Sequence, residues 1–206
     1  MANRDIYAAI LVAHSFQIFM AIAAHFNLEL KQYDTINAFI HAPLSNKIYM
    51  QMPISYHEKG KVYQLNRALY ELRELPILWQ QHFTGTLINI KLKPIPHKSC
   101  CLTSDDEILI FFYVDDIILA YQKSQESKAK EILIKLKGHY NIFDGEDLQW
   151  FLEITIYQDR KNKLTWLSQA SYIKKIAKLA NIINTIDEIK DDKIPIIKTE
   201  LLPYTE

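Results

Sequence analysis

Two aspartates stand between two greasy runs. Ile108-Leu109-Ile110-Phe111-Phe112 leads into Tyr113-Val114-Asp115-Asp116, and Ile117-Ile118-Leu119-Ala120 leads out of it. Both runs are Ile/Phe-rich and free of Gly and Pro, the signature of short buried strands. The chain therefore carries two adjacent carboxylates at the bend of an apolar hairpin. Anions so close repel, and burial raises the cost of keeping either ionised. A bound divalent cation removes that conflict. Read in isolation, the pair is slightly better explained as a turn pointing into solvent. The remainder of the chain reverses that preference.

At 206 residues, 49% apolar and 23% charged, the composition is that of a globular chain with one medium domain, or one domain and an appendage. It is not that of a disordered one. Lys+Arg 24 against Asp+Glu 24 leaves no formal net charge. Proteins that grip a nucleic-acid backbone unaided are usually basic, so neutrality counts against strong autonomous binding. A locally basic groove is still compatible with it. The two cysteines, Cys100 and Cys101, are adjacent. Neighbours rarely meet disulfide geometry and lack zinc-type spacing, so a reducing, intracellular compartment is expected. Ile6 to Ala24 is apolar, but Asp5 precedes it and His14, Ser15 and Gln17 interrupt it. A spanning helix needs ~20 mostly apolar residues. A buried helix is expected there, not a membrane span or signal peptide.

That first helix covers about Asp5 to His25, with Asn27 as its stop signal. Leu28 to Asp34 alternates apolar and polar, as a half-buried strand does. Lys47 to Met52 alternates again, Ile54 to Gly60 reads as a polar loop, and Val62 to Leu65 as a short strand. Arg67 to Leu75 reads as a brief helix, with Pro76 opening the next one. Trp79, Phe83 and Leu87 give that second helix a buried stripe. Lys91 to Ser99, with Pro94 and Pro96, reads as a loop. Strands at Cys101-Leu102 and Ile108 to Phe112 flank a turn at Asp105-Asp106. Ser124 is a good N-cap for a helix running to Gly138, with Ala129, Ile132, Leu133 and Leu136 on one face. Trp150 to Ile156 reads as a strand, Asp159 to Asn162 as a turn into Leu164 to Leu167, and Ala170 to Ala180 as a final helix. Beyond Ile182 the chain is charged and Pro-broken, so residues 181–206 are expected to form a poorly ordered tail on a 1–180 domain.

Asp34 closes its strand as the aspartate pair closes the hairpin. If the two elements lie side by side in one antiparallel sheet, Asp34, Asp115 and Asp116 converge. Three carboxylates suit one or two Mg²⁺ ions, with Mn²⁺ an acceptable substitute. Paired ions can clamp the attacking and leaving oxygens of an in-line phosphoryl transfer. Alone, Asp34 is better read as a solvent-facing strand end.

Gln32-Tyr33-Asp34-Thr35-Ile36-Asn37-Ala38-Phe39-Ile40, Ile48-Tyr49-Met50, Ala68-Leu69-Tyr70, Pro76 with Trp79, and Tyr113-Val114-Asp115-Asp116 stand in a telling order. Trp150-Phe151-Leu152, Leu167-Ser168-Gln169 and Tyr172-Ile173 continue it. In this order the chain resembles the reverse transcriptases of Ty1/copia-type retrotransposons, over roughly Phe19 to Lys178. The resemblance implies an α+β fold like the palm of a right-hand polymerase, with helices on one face of an antiparallel sheet. It implies Asp34, Asp115 and Asp116 as the catalytic, metal-binding carboxylates, with Asp34 and Asp115 bridging two ions and Asp116 the outer ligand. The Thr35 backbone would lie beside the metals. Phe39 would sit under the incoming sugar, where a flat ring excludes a 2′-hydroxyl; without the family it reads as an ordinary core aromatic. Arg73, Glu74 and Tyr113 complete the implied substrate-binding set. The implied partners are an RNA template, a DNA primer, deoxynucleoside triphosphates and other parts of a retrotransposon polyprotein. The implied location is the cytoplasm or a virus-like particle.

Departures from the family pattern also carry information. Glu71 and Glu153 stand where relatives usually have glycine, and Glu74 where they have a glutamine against the nucleotide. A carboxylate at 74 would face a polyanionic triphosphate. Arg73 keeps the charge of the family lysine. The basic fingers segment expected before the first helix, a full thumb and a ribonuclease H domain are not recognisable. The expectation is therefore an RNA-directed DNA polymerase domain of a copia-type element, truncated and weakly active or inactive. The alternative is a repurposed module that holds nucleic acid or protein on the palm sheet without chemistry.

Overall fold

The first helix, α1 (Asn3–His25), stops where the asparagine signal stands. Asn27 takes a left-handed φ of 52°. Its N–H donates to the Ala24 carbonyl at 3.2 Å, and the Leu28 N–H donates to Ala23 at 2.9 Å. These are the two bonds of a Schellman ending, and asparagine is one of the few residues with a side chain that tolerates its geometry. A computed structural model describes residues 3–44, 46–69, 72 and 75–180. The expected tail beyond Ile182 lies outside the described residues.

From that stop the chain enters β1 (Glu29–Asp34), a 3-10 turn at Ala38–His41, and a hairpin of β2 (Ile48–Gln51) and β3 (Val62–Leu65). Next come α2 (Leu75–Asn89), β4 (Lys93–Ile95), β5 (Lys98–Thr103), β6 (Leu109–Tyr113) and β7 (Asp116–Tyr121). α3 (Glu126–Lys137), β8 (Glu146–Asp147), β9 (Trp150–Phe151), β10 (Ile154–Asp159), β11 (Leu164–Ser168) and α4 (Ala170–Leu179) complete the order.

The chain divides into two units. The first holds residues 1–149 and 158–165, and the second holds 150–157 with the chain from 166 onward. The first unit is built on an antiparallel sheet in the order β4-β5-β6-β7-β1-β8. Its central strands are apolar at nearly every position, not at alternate ones, which requires cover on both faces. Phe111 meets Phe16 and Phe19 of α1 at ring separations of 5.6 Å. The next residue, Phe112, meets Phe83 of α2 at 4.9 Å. Successive side chains on a strand point to opposite faces, so α1 covers one face while α2, with Trp79, Phe83 and Leu87 all buried, covers the other. Ala129, Ile132 and Leu136 of α3 join the α2 side of the core. This corrects the expectation of helices on one face only. Both Cys100 and Cys101 are buried without a disulfide, and burial pushes the Cys101 thiol up to about 11.

Four local expectations also change. The described residues between Arg67 and Leu72 are not helical. The Ala68 N–H is committed instead to the Ala42 carbonyl at 3.3 Å, and Ala68 is buried. Lys93–Ile95 is a strand despite Pro94, because β4 is the sheet edge, where a missing N–H is tolerated. α3 is preceded by a 3-10 turn at Lys123–Gln125, closed by reciprocal Gln122 and Gln125 bonds, so Ser124 is not its N-cap. In the second unit the run from Trp150 is a hairpin, not one strand. Phe151 pairs with Ile154, and Leu152 and Glu153 both take positive φ, at 47° and 61°. That is the two-residue turn that suits strand twist, in which glycine is the least costly occupant. Glu153 occupies it while pairing with Lys175 of α4 at 3.4 Å.

Gly145 meets a stricter requirement. A β-carbon added there would fall inside the Tyr33 ring, immediately before Asp34. Gly145→Ala is expected to destabilise the fold by about 1–3 kcal/mol, as overpacking does, measured by urea unfolding. The corresponding change at Gly85, where an added β-carbon meets nothing within 4 Å, serves as the tolerated control.

Candidate active site

Strand register brings the acidic residues together. β1 and β7 pair antiparallel with Asp34 directly opposite Asp116. The Thr35 N–H donates to the Asp115 carbonyl at 2.9 Å. That bond places Asp34 and Asp116 at the non-hydrogen-bonded position of the ladder, where facing Cα atoms lie about 4.5 Å apart and side chains are closest. On the other side of β7, Tyr113 faces Asp116 across the hairpin. Opposed residues share a face, so Tyr113, Asp116 and Asp34 form a row across β6, β7 and β1. Asp115 is exposed at the loop itself.

The carboxylates sit in an uncomfortable environment. Burial raises the pKa of Asp34, and the neighbouring Asp115 charge adds to it. Burial also raises the pKa of Asp116, and Asp115 and Asp34 push the same way. One group opposes them. Gln32, two residues before Asp34, donates its amide to Asp116 Oδ1 at 2.9 Å. It satisfies one oxygen of Asp116 but supplies no positive charge.

The hairpin loop is strained. Val114 takes φ 55°, a left-handed conformation that is an outlier for a β-branched residue. Positive φ at the first of two loop residues, and not at the second, is the pattern of a II′ turn. Trp79 of α2 restrains it: the indole N–H donates to the Val114 carbonyl at 2.5 Å. Trp79 itself is buried and stacks on Phe83 at 5.1 Å. Sequence periodicity identified Trp79 only as core. Its polar atom carried the missed signal, because a buried indole N–H needs an acceptor.

The remaining expected residues are placed differently. Thr35 is buried, its N–H is used by Asp115, and its hydroxyl has no hydrogen-bond partner. Phe39 is half-buried in the 3-10 turn and packs against the α2-side core. Arg73 and Glu74 lie outside the described residues. Asp34 and Asp116 fit a hard cation, since among the described residues no positive charge offsets these two facing, partly desolvated anions. Among the described residues, no three acidic, histidine or cysteine side chains are already gathered as a ligand set. No helix among them is long and apolar enough to cross a membrane.

A reverse transcriptase (RNA-dependent DNA polymerase) family model matches residues 2–198. The chain belongs to that family. Among curated relatives, it is 29% identical over 191 residues to the Retrovirus-related Pol polyprotein from transposon TNT 1-94 of Nicotiana tabacum, covering 87% of this chain and 14% of the relative. It is 24% identical over 185 residues to the Pol polyprotein from transposon RE1 of Arabidopsis thaliana, covering 87% and 12%. The transposon Ty1-GR3 Gag-Pol polyprotein of Saccharomyces cerevisiae is 25% identical over 167 residues, covering 78% and 9%. The reverse transcriptase is thus of the Ty1/copia type, and the chain spans about one seventh of the length of the first of these relatives.

Two outcomes follow for this reverse transcriptase chain. The folded-state pKa of Asp116 lies above its ordinary value of 3.8, so ionising it costs stability. The cost is absent below that value, grows as pH rises through the folded pKa and is complete above it. Asp116→Asn keeps an acceptor for Gln32 and removes the charge. It is expected to raise the thermal midpoint near neutral pH, with the advantage disappearing in acid. Trp79→Phe retains the ring but orphans the Val114 carbonyl. It is expected to cost about 1–3 kcal/mol in denaturant unfolding.

Proposed function

We propose that this chain is the palm-like catalytic portion of an RNA-directed DNA polymerase from a copia-type element. In this reading Asp34, Asp115 and Asp116 hold one or two divalent cations, Mg²⁺ or Mn²⁺. The observation that carries it is the register of β1 against β7, which sets Asp34 opposite Asp116 at the mouth of a strained loop. The substrates are a DNA primer on an RNA template and deoxynucleoside triphosphates, within a larger Pol polyprotein in the cytoplasm or a particle.

The chain's own groups have distinct tasks. Asp34 and Asp116 present facing carboxylates from rigid strands, which lowers the ordering cost of an ion site. Gln32 fixes the rotamer of Asp116 and leaves the second oxygen available. Trp79 holds the Val114 peptide, and through it the position of Asp115. Tyr113 walls the row on the β6 side, and Phe39 serves as the aromatic beneath the sugar, with Thr35 contributing backbone. Arg73 offers a cation to the triphosphate. Bound cations would supply Lewis-acid charge for the attacking 3′-oxygen and the departing pyrophosphate.

Extension by this copy is weak in the proposed reading. Glu71 and Glu74 add negative charge beside Arg73, where a triphosphate would be received. The reading is tested by extension of a DNA primer on an RNA template with Mg²⁺ or Mn²⁺. Little or no product is expected, and Glu74→Gln should increase it. Robust synthesis abolished by Asp115→Asn/Asp116→Asn would overturn the weak-activity reading and leave the polymerase reading intact. The ion site has its own measurement. Mn²⁺ binding followed by electron paramagnetic resonance should be present in the natural chain and lost in Asp34→Asn/Asp116→Asn. No Mn²⁺ binding by the natural chain would favour a non-catalytic module on the same fold.

A further inference from the structure

Behind the strained loop lies a second cluster that the carboxylate chemistry does not use. Three imidazoles ring one phenol. The centroids of His41, His82 and His139 lie 5.2, 6.0 and 6.2 Å from that of Tyr140. They come from three separate places: the 3-10 turn after β1, the middle of α2 and the turn that follows α3. Trp79 lies 5.4 Å from Tyr140 and 6.4 and 6.2 Å from His41 and His82. Arg67 joins them, its Nη1 donating to the His41 carbonyl at 3.1 Å.

Among the described residues, neither Arg67 nor any of the three histidines forms an ion pair. Burial lowers the pKa of His82, and His41, Arg67 and His139, all of them basic, push the same way. Tyr140 stays neutral, because burial raises its pKa. Its phenol meets Thr86 Oγ1 at 2.6 Å, and that hydroxyl donates to the His82 carbonyl at 3.2 Å. The ring is thereby fixed as an aromatic floor with its polar end turned inward. Three imidazoles and one guanidinium, none ion-paired among the described residues, thus gather at one place.

We propose that His41, His82, His139 and Arg67 form a phosphate-binding patch over Trp79 and Tyr140 that tightens as the imidazoles take up protons. A guanidinium with one fixed bond and most of its donors unspent is suited to a phosphate oxygen. Charged imidazoles held this close would repel one another. A phosphate supplies the missing negative charge and draws protons onto them. The patch backs onto the Val114 loop through the Trp79 indole. That adjacency makes a nucleic-acid backbone or a small polyphosphate the two candidate carriers of the phosphate. Only the choice between these carriers rests on the polymerase reading.

The test uses the full chain at low salt in the presence of EDTA, so that the carboxylate site plays no part. Anisotropy of a fluorescent oligothymidylate is followed between about pH 6 and about pH 8, the range over which ordinary imidazoles titrate. Binding is expected to be roughly tenfold tighter at the acidic end, the equivalent of a single well-placed surface charge pair. His41→Gln/His139→Gln and, separately, the exposed Arg67→Gln should weaken it, and the histidine variant should flatten the pH dependence. Exposed His97→Gln is the control and should behave as the natural chain. Thermal melting verifies that each variant is folded. Displacement by inorganic pyrophosphate would support the patch and identify small polyphosphates as its ligand. Persistence of oligonucleotide binding against pyrophosphate would support it as a backbone contact. Natural affinity and pH slope in both variants would overturn it, as would no binding by the natural chain at the acidic end. Primer extension is a separate measurement, so the polymerase reading and this patch can fail independently.

Discussion

Two carboxylates facing each other across β1 and β7 are the constraint around which the first unit is arranged. They occupy a non-hydrogen-bonded pair, where side chains approach most closely, and both are partly withdrawn from water. A fold selected for stability alone would place a β-branched or aromatic pair there. The neighbouring features make sense as support for that pair. Gln32 neutralises the hydrogen-bonding demand of one oxygen without removing charge, Gly145 clears room for Tyr33, and Trp79 holds the loop that ends in the aspartates.

The rigidity of that support comes from packing on both sheet faces. α1 closes one side through Phe16 and Phe19, and α2 closes the other through Trp79, Phe83 and Leu87. β6 and β7 have almost no polar side chains until the hairpin tip. Strain at Val114 persists because the core on either side over-determines the loop's position. An indole bonded to the strained peptide and stacked on the α2 core transmits that positional control directly to Asp115 and Asp116. The same indole also borders the histidine cluster, so one side chain adjoins both the aspartate loop and the basic group.

Much of this was legible from residue order. The β1 alternation, the hairpin and the α2 stripe all follow from hydrophobic period. The departures share a cause. Ala68 spends its N–H on a tertiary bond, Pro94 survives in a strand only because that strand is the edge, and Glu153 accepts a left-handed turn in place of glycine. Each is a tertiary override of a local preference. The two-sided cover of the sheet was present in the unbroken apolar character of Leu109–Tyr113 and Asp116–Tyr121. The one-sided expectation came from family resemblance and not from that pattern.

Sequence alone determined which chemical groups exist and the order in which they occur, and hence membership of the reverse transcriptase family and the candidacy of Asp34, Asp115 and Asp116. Period and turn chemistry act over a few residues, so they could also place those aspartates at strand ends. Tertiary structure decided which groups meet. The facing of Asp34 with Asp116, the grip of Trp79 on Val114, and the gathering of His41, His82, His139 and Arg67 around Tyr140 join segments far apart in the chain. Such pairings depend on sheet register and helix packing, which are settled by the whole core together and not by any local run of residues.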